Sequence, residues 1–376
     1  MNYDFSERET AFFSQIDELM QSLAEAGDSD RGDTGAVGHR LRHALKRLAE
    51  TPYLKLGLQA QEGLDGPSLM RAMEIVSSLA PSLFLSVEMS ARVFGRILST
   101  WGNAEQKERW LAPLLKGEIV GALALSEDSL NVENEPLKTK AKAEGDAVVI
   151  NGRKQYVVNG PVADWIAVAG AIEDKNAIFL IEKNAAGLRL GDRIATVGYE
   201  GAAICGLSLE NCRIRADRVV GRFEPKEGLG KIRLWENQVI VGASLGLMKA
   251  AFESAKDYAK SHESGAKPVI AYQEVGFKLA EMLTLLQTSQ LLACRAAWTA
   301  EHMPEEADSL TLCAKVFCTE ASEDVAGKAL QILAGAGYVS GNAAERAYRC
   351  AKYGQIAGTS TEIARVRIGD CALEKP

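Results

Sequence analysis

The 376 residues predict an α+β protein in three consecutive parts: a helical domain over 1–117, an antiparallel β-barrel over 118–225 and a four-helix bundle over 226–376. Two observations predict this order. Apolar residues recur at helical spacing in the first third and again after Gly230, whereas the middle carries short β-rich runs. Those runs are joined by turns instead of crossover helices, which favours a small barrel or sandwich over a parallel sheet.

In the first third, Ser6 and Glu9 have the spacing of a capping box, and Phe12, Phe13, Ile16, Leu19, Met20 and Leu23 continue as an apolar stripe. A polar loop, 27-GDSDRGDTG-35, follows. Helical patterns then fall at about 37–50, 68–79, 82–100 and 104–115, the last behind an Asn103 cap with Gln106 three residues on. Strands begin at 119-IVGALAL-125 and continue at 146-DAVVI-150, 153-RKQYVV-158, 165-WIAVAGA-171, 177-AIFLI-181 and 203-AICGLSLENCRI-214. Asn151-Gly152, between two of these runs, reads as a hairpin turn. Beyond Gly230, helices are expected at about 231–261, 269–301, 308–334 and from about 361, enough for a bundle. Before the last of them, 355-QIAGTSTEIAR-365 supplies hydroxyls that would cap a helix start, a place that also favours a phosphate or a developing oxyanion.

Composition narrows the function. A hydrophobic content of 47% supports a substantial core. A net charge of −7 without a long basic run argues against nucleic acid or anionic membrane as partner. The longest apolar runs, such as 165-WIAVAGAI-172, are too short to span a bilayer, and MNYDFSERE has no basic, apolar signal character. Seven scattered cysteines with no C-x-x-C fit reduced thiols, so a cytoplasmic protein is expected. His39 and His43 have chelating spacing, but 39-HRLRH-43 has no Glu and reads as a solvated helix face, so no metal is expected. A phosphate loop and a nucleophile elbow are absent, and the glycines of 335-GAGYVSG-341 miss the dinucleotide spacing.

Four segments, in order, resemble the acyl-CoA dehydrogenase family. The run 101-WGNAEQKERWLAPLLKGEIVGALALSE-127 resembles the family's approach to its barrel, and 153-RKQYVVNGPVADWIAV-168 is similar to K-x-W-I-T-N-G-x-x-A-D. Further on, 331-QILAGAGY-338 resembles Q-x-x-G-G-x-G-Y, and the 355–365 stretch resembles I-Y-E-G-T-S-E-I-Q-R. The resemblance implies an acyl-CoA dehydrogenase-like fold that binds FAD between barrel and bundle, in tetramers whose neighbouring subunit touches the cofactor. It implies removal of an acyl-CoA α-hydrogen as a proton and of a β-hydrogen as hydride to flavin N5. Electrons would then pass to electron-transfer flavoprotein.

The resemblance also carries residue roles. The family's base is the Glu of I-Y-E-G-T, whose backbone amide binds the thioester oxygen; here that residue is Ala357, which keeps the amide and loses the carboxylate. The isovaleryl-CoA branch takes its Glu from a bundle helix instead. Counting back from Gly246-Leu247-Met248 in 235-WENQVIVGASLGLM-248, Glu236 falls on that position, among Leu234, Trp235, Val239, Ile240 and Val241. Such surroundings would raise a carboxyl pKa, which suits a base; the plain alternative is an exposed Glu near a helix start. Leu125, Ser126, Tyr156, Val158, His262, Gln331, Gly335 and Thr359 fall on family FAD positions.

The sequence also departs from the family. The T-E-P-G-A-G-S-D motif is replaced by 126-SEDSLNVE-133, Val158 replaces the Thr near flavin N5, and R-x-Q-F-G becomes 262-HESGA-266, with His262 for the Arg that meets the neighbour's FAD diphosphate. One lost charge–phosphate contact weakens binding by about 1.5–3 kcal/mol, or roughly ten- to a hundredfold. Beside an active dehydrogenase, two alternatives follow: a silent subunit paired with an active paralogue, or an enzyme of elimination without net oxidation.

Overall fold

A computed structural model describes residues 5–25, 33–128 and 135–373. The N-terminal part is helical: α1 (Glu7–Glu25), α2 (Thr34–Ala49), α3 (Gly66–Leu79), α4 (Pro81–Glu88), α5 (Gly95–Trp101), α6 (Ala104–Gln106) and α7 (Ala112–Leu115). Two π-helical stretches, Met89–Phe94 and Lys107–Leu111, join α4 to α5 and α6 to α7. The capping box forms as the sequence predicts, Ser6 N donating to Glu9 Oε2 at 2.8 Å and Glu9 N to Ser6 Oγ at 3.3 Å. Asn103 and Gln106 form a second. Asp33 caps α2, so the helix starts inside the expected loop, whose residues 27–32 lie outside the described residues. His39 and His43 lie on its exposed face.

The central part is one eight-stranded sheet: β1 (Gly121–Ala124), β2 (Lys140–Glu144), β3 (Ala147–Val158), β4 (Trp165–Ile172), β5 (Lys175–Glu182), β6 (Leu188–Arg193), β7 (Ile204–Arg215) and β8 (Val219–Phe223). Its order is β6-β7-β3-β2-β4-β5-β8, with β1 paired to β4. The expected order of helices, a central sheet domain and helices is the one observed, and the sheet is antiparallel except around β4. Among the described residues the ladder does not return from β8 to β6, and β4 pairs in parallel with both β1 and β2. The expected hairpin at Asn151-Gly152 is corrected, because β3 runs straight through it with a register shift against β7. Gly152 is needed for another reason: a Cβ there would sit 2.5 Å from Thr139 Oγ1. The real turn lies at Gly145-Asp146, between Glu144 and its partner Ala147, where Gly145 has φ +63°.

The C-terminal part contains α8 (Pro225–Ser261), α9 (Gln273–His302), α10 (Ala307–Leu333), α11 (Ala343–Ile356) and α12 (Thr361–Ala372). A two-stranded ribbon, β9 (Glu263–Ser264) and β10 (Lys267–Pro268), turns through Gly265 and Ala266 at positive φ. The bundle consists of α8 to α11, and α12 packs against α10. The fourth bundle helix is therefore α11, where no helix was expected, and the helix from 361 is an addition. Ser360 Oγ caps α12, as the hydroxyl-rich stretch predicts. Helix α8 is the axis of the molecule, packing on α3, α9, α10 and α11. Its Gly246 admits α3 closely, since a Cβ there would lie 1.9 Å from Ser77 Oγ.

Candidate active site

The site grows from one turn of α8. Arg233 and Glu236 are neighbours across that turn, and Arg233 Nη1 donates to Glu236 Oε2 at 2.6 Å, with only 10% and 13% of the two side chains exposed. Glu236 is therefore neither an exposed helix-start residue nor surrounded only by apolar groups, because its nearest partner is a guanidinium. Burial pushes the Tyr353 phenol of α11 up, and the Glu236 carboxylate adds to that while Arg233 opposes it.

The next residue, Asn237, is fully buried and grips the loop between α11 and α12. Its Oδ1 accepts from Thr359 N at 3.0 Å and its Nδ2 donates to Thr359 Oγ1 at 3.2 Å. Gly358 permits this approach, with φ +64° and a would-be Cβ 2.5 Å from Asn237 Oδ1. Lys315 of α10, fully buried, donates from below to the Thr359 carbonyl. Burial lowers that ammonium to about 8. Consecutive residues of α8 thus hold the proposed base and the loop of the proposed cofactor contact Thr359.

The Ala357 amide is placed differently from its expected role. It donates to Tyr353 O at 2.8 Å and closes the last turn of α11. A thioester oxygen could receive it only if that bond opened.

On the sheet side, Leu125 and Ser126 follow directly after β1, and Tyr156 and Val158 lie on β3. Leu125 and Val158 are buried, whereas Tyr156 is 68% exposed with φ +55°, at a register shift that takes it out of the ladder. Behind it, Lys154 Nζ donates to Glu127 Oε1 at 2.8 Å and to Leu125 O at 3.0 Å. Burial lowers Lys154 to about 8. Burial alone would raise Glu127, but Lys154, Thr139 and the Lys138 amide together hold it below its ordinary value. Arg233 lowers Lys154 and Lys315 alike, which puts α8 within electrostatic reach of both sides. The replaced motif beyond Asp128 lies outside the described residues.

His262, Gln331 and Gly335 are not among these buried contacts. All three are exposed on the bundle, and the His262 ring stacks on Tyr258 at 3.8 Å. Arg233, Asn237, Lys315 and the Glu127–Lys154 pair were missed by sequence reasoning. The one available signal was a charged residue inside an otherwise apolar run, as for Lys315 in 312-LCAKVFC-318.

The residues fit FAD. Tyr156, 68% exposed at positive φ beside a register shift of β3, leaves an aromatic face open on the sheet side for a flat cofactor. At Gly335 nothing lies within 4 Å of a would-be Cβ.

Comparison with known proteins agrees. Family models for the acyl-CoA dehydrogenase N-terminal, middle and C-terminal domains match residues 6–118, 122–212 and 234–373. The chain belongs to the acyl-CoA dehydrogenase family. Membership makes it an oxidoreductase acting on acyl-CoA, with FAD as cofactor. It is 31% identical to the mitochondrial short-chain specific acyl-CoA dehydrogenase of Homo sapiens, over 81% of this chain and 76% of that protein. It is likewise 31% identical to the mitochondrial isovaleryl-CoA dehydrogenase of Arabidopsis thaliana, over 79% and 74%. Among solved structures, butyryl-CoA dehydrogenase from Megasphaera elsdenii superposes with a TM-score of 0.89 at 20% identity, covering 99% of this chain and 100% of that one, a likeness of fold. Among the described residues, no helix is long and apolar enough to cross a membrane.

Proposed function

We propose that the protein catalyses α,β-dehydrogenation of an acyl-CoA thioester, with Glu236 as the base that removes the α-proton. The observation that carries this reading is the junction at residues 236 and 237. A largely buried carboxylate stands one position before the asparagine that fixes the Thr359 loop, so both move as one rigid piece of α8. Glu236 Oε2 is occupied by Arg233, which orients the carboxylate and leaves Oε1 to face the substrate. Ser126, Tyr156, Val158 and Leu125 would hold FAD from the sheet side and Thr359 from the bundle side, with His262, Gln331 and Gly335 serving a neighbouring subunit's cofactor. When bound, FAD supplies the acceptor for the β-hydrogen, transferred as hydride. The Ala357 amide reaches a thioester oxygen by leaving Tyr353 O, a single bond at a helix end where fraying costs little. Electron-transfer flavoprotein is the proposed electron acceptor, and the free cysteines support a cytoplasmic location.

Glu236→Gln keeps the shape and removes the basic carboxylate. Anaerobic mixing with a panel of acyl-CoAs should show flavin bleaching slowed by roughly 10²–10⁴-fold, with substrate still bound. Bleaching at the wild-type rate would reduce Glu236 to a helix residue. The Arg233–Glu236 ion pair and the engaged Ala357 amide favour a second reading, a silent subunit beside an active paralogue. A purified protein that takes up no flavin would select it. Flavin bound without bleaching by any acyl-CoA would select elimination without net oxidation.

A dimer or tetramer through the bundle is also proposed, because α9 exposes Phe277, Leu283 and Leu291 at 59%, 42% and 51%. Sedimentation should show an oligomer that Phe277→Glu weakens; a monomer holding flavin tightly would contradict it.

A further inference from the structure

A cavity of about 230 Å³ lies between α3, α5, α8 and α9. Helix α8 lines it with Leu234, Trp235 and Gln238. Glu236 stands midway between Leu234 and Gln238 in sequence, roughly 200° around the helix from each. The proposed base therefore faces away from the cavity, which is a separate site. Met70, Met73 and Ala300 supply aliphatic wall, and two charges of opposite sign, Arg96 and Glu301, complete the lining.

These two charges act on each other without pairing. Burial, the main influence on both groups, lowers Arg96 to about 10 and raises the carboxyl of Glu301, while each charge favours the ionised form of the other. Among the described residues, however, no ion pair of 4 Å or less joins them. Arg96 Nη1 donates to Gln238 Oε1 at 2.5 Å and Nε to Gly57 O at 3.4 Å, which leaves Nη2 for another acceptor. Around Arg96 the charges balance. Arg92 lies beside it, Glu88 pairs with Arg92 at 3.5 Å, and Glu88 and Glu301 both favour the charged Arg96. At the other end Asp65 adds its field to that of Glu301, and its own carboxylate accepts from Ser68 N at 3.1 Å. Glu301 nevertheless remains exposed, so that end opens to solvent. The cavity is thus dipolar, cationic at Arg96 and anionic at Glu301. A glycine stands beside each charge. A Cβ on Gly57 would lie 2.9 Å from Arg96 Nη2, and one on Gly66 would lie 3.1 Å from Glu301 Cδ, so a side chain at either place would crowd the charged group.

A singly charged ligand is attracted at one end of such a cavity and repelled at the other. A zwitterion meets both ends and brings in no net charge. We propose that this cavity binds a small apolar α-amino acid, its carboxylate on Arg96, its ammonium on Glu301 and its side chain against Met70, Met73 and Ala300. At ~30 Å³ per water the volume equals roughly seven waters, which suits a ligand of about eight non-hydrogen atoms such as valine or norvaline.

The test is calorimetric titration of the FAD-supplemented protein with L-norvaline, pentanoate and butylamine. The three share one chain and differ in the charges they carry. Norvaline should bind saturably with a Kd of ~1 mM or tighter. Pentanoate lacks the ammonium and butylamine lacks the carboxylate, and each should bind at least about tenfold more weakly. Glu301→Gln, at an exposed position, should keep flavin uptake, weaken norvaline by about tenfold or more and remove its advantage over pentanoate. Arg96→Met should remove the advantage over butylamine. The proposal is overturned by an absence of saturable heat with norvaline up to about 10 mM. Equal affinity for pentanoate or butylamine, or undiminished norvaline binding by Glu301→Gln, overturns it too.

Discussion

The sheet side and the bundle side of the site each bury a lysine, and they satisfy it in opposite ways. Lys154 on the sheet side and Lys315 on the bundle side are both lowered from 10.5 to about 8, chiefly by burial. Lys154 meets a carboxylate, and that carboxylate is itself fixed by Thr139 Oγ1 at 2.6 Å and Lys138 N at 2.6 Å. Lys315 meets only carbonyls, those of Thr359 and, at 3.5 Å, Gln355. A closed ion-pair network makes the sheet side under Tyr156 a fixed platform. Carbonyl dipoles can be exchanged one for another at smaller cost, so the 357–360 loop is the side built to adjust. The Ala357 amide, which must change partner to serve a thioester, sits in that loop.

The largest expected effect breaks the platform. Glu127→Ala leaves the Lys154 ammonium buried without an anion and should cost about 3–5 kcal/mol in urea unfolding. The double change Glu127→Leu with Lys154→Met removes both charges and should recover most of that loss. A single-mutant cost below about 1 kcal/mol would show that water already reaches the pair and that the platform is not fixed.

How much of this was legible in the sequence depends on where apolar side chains do the packing. The N-terminal helices and strands β4, β5 and β7 carry wide Val, Ile, Leu or Phe stripes and were found. Strand β2, KAKAE, is exposed along most of its length and offers no alternation to read. Helix α11 buries Ala344, Ala347, Cys350, Ala351 and Gly354, a stripe at helical spacing but of residues too small to register as hydrophobic. Asn151-Gly152 was read as a turn because that dipeptide suits one, whereas its glycine answers to Thr139 across the sheet. Tertiary contact overrode local signal there. Glu236 was reached through family resemblance. Its pairing with Arg233 follows from rotamers that three-residue spacing permits but does not dictate.

The smaller effect probes the adjustable side, by removing the charge at Lys315. Lys315→Met leaves the Thr359 and Gln355 carbonyls without their donor and should cost about 1–3 kcal/mol, less than the loss at Glu127. FAD affinity should fall by roughly tenfold because Thr359 is no longer held against Asn237 from below. The pH dependence separates this from generic destabilisation. A lysine lowered to about 8 in the folded state binds its proton less tightly than in the unfolded chain, where 10.5 applies. Between those values the unfolded state carries more protons, so this lysine makes unfolding free energy rise as pH increases from 8. Lys154 contributes the same sign. Burial raises the Tyr53 and Tyr199 phenols, which act oppositely only from about pH 10 upward. The measurement is therefore urea unfolding of wild type and Lys315→Met between pH 8 and about 9.5. Wild type should gain stability over the variant across that window, relative to pH 7. Parallel curves would mean that Lys315 titrates near its ordinary value, and that the loop carbonyls hold an ammonium already hydrated by water.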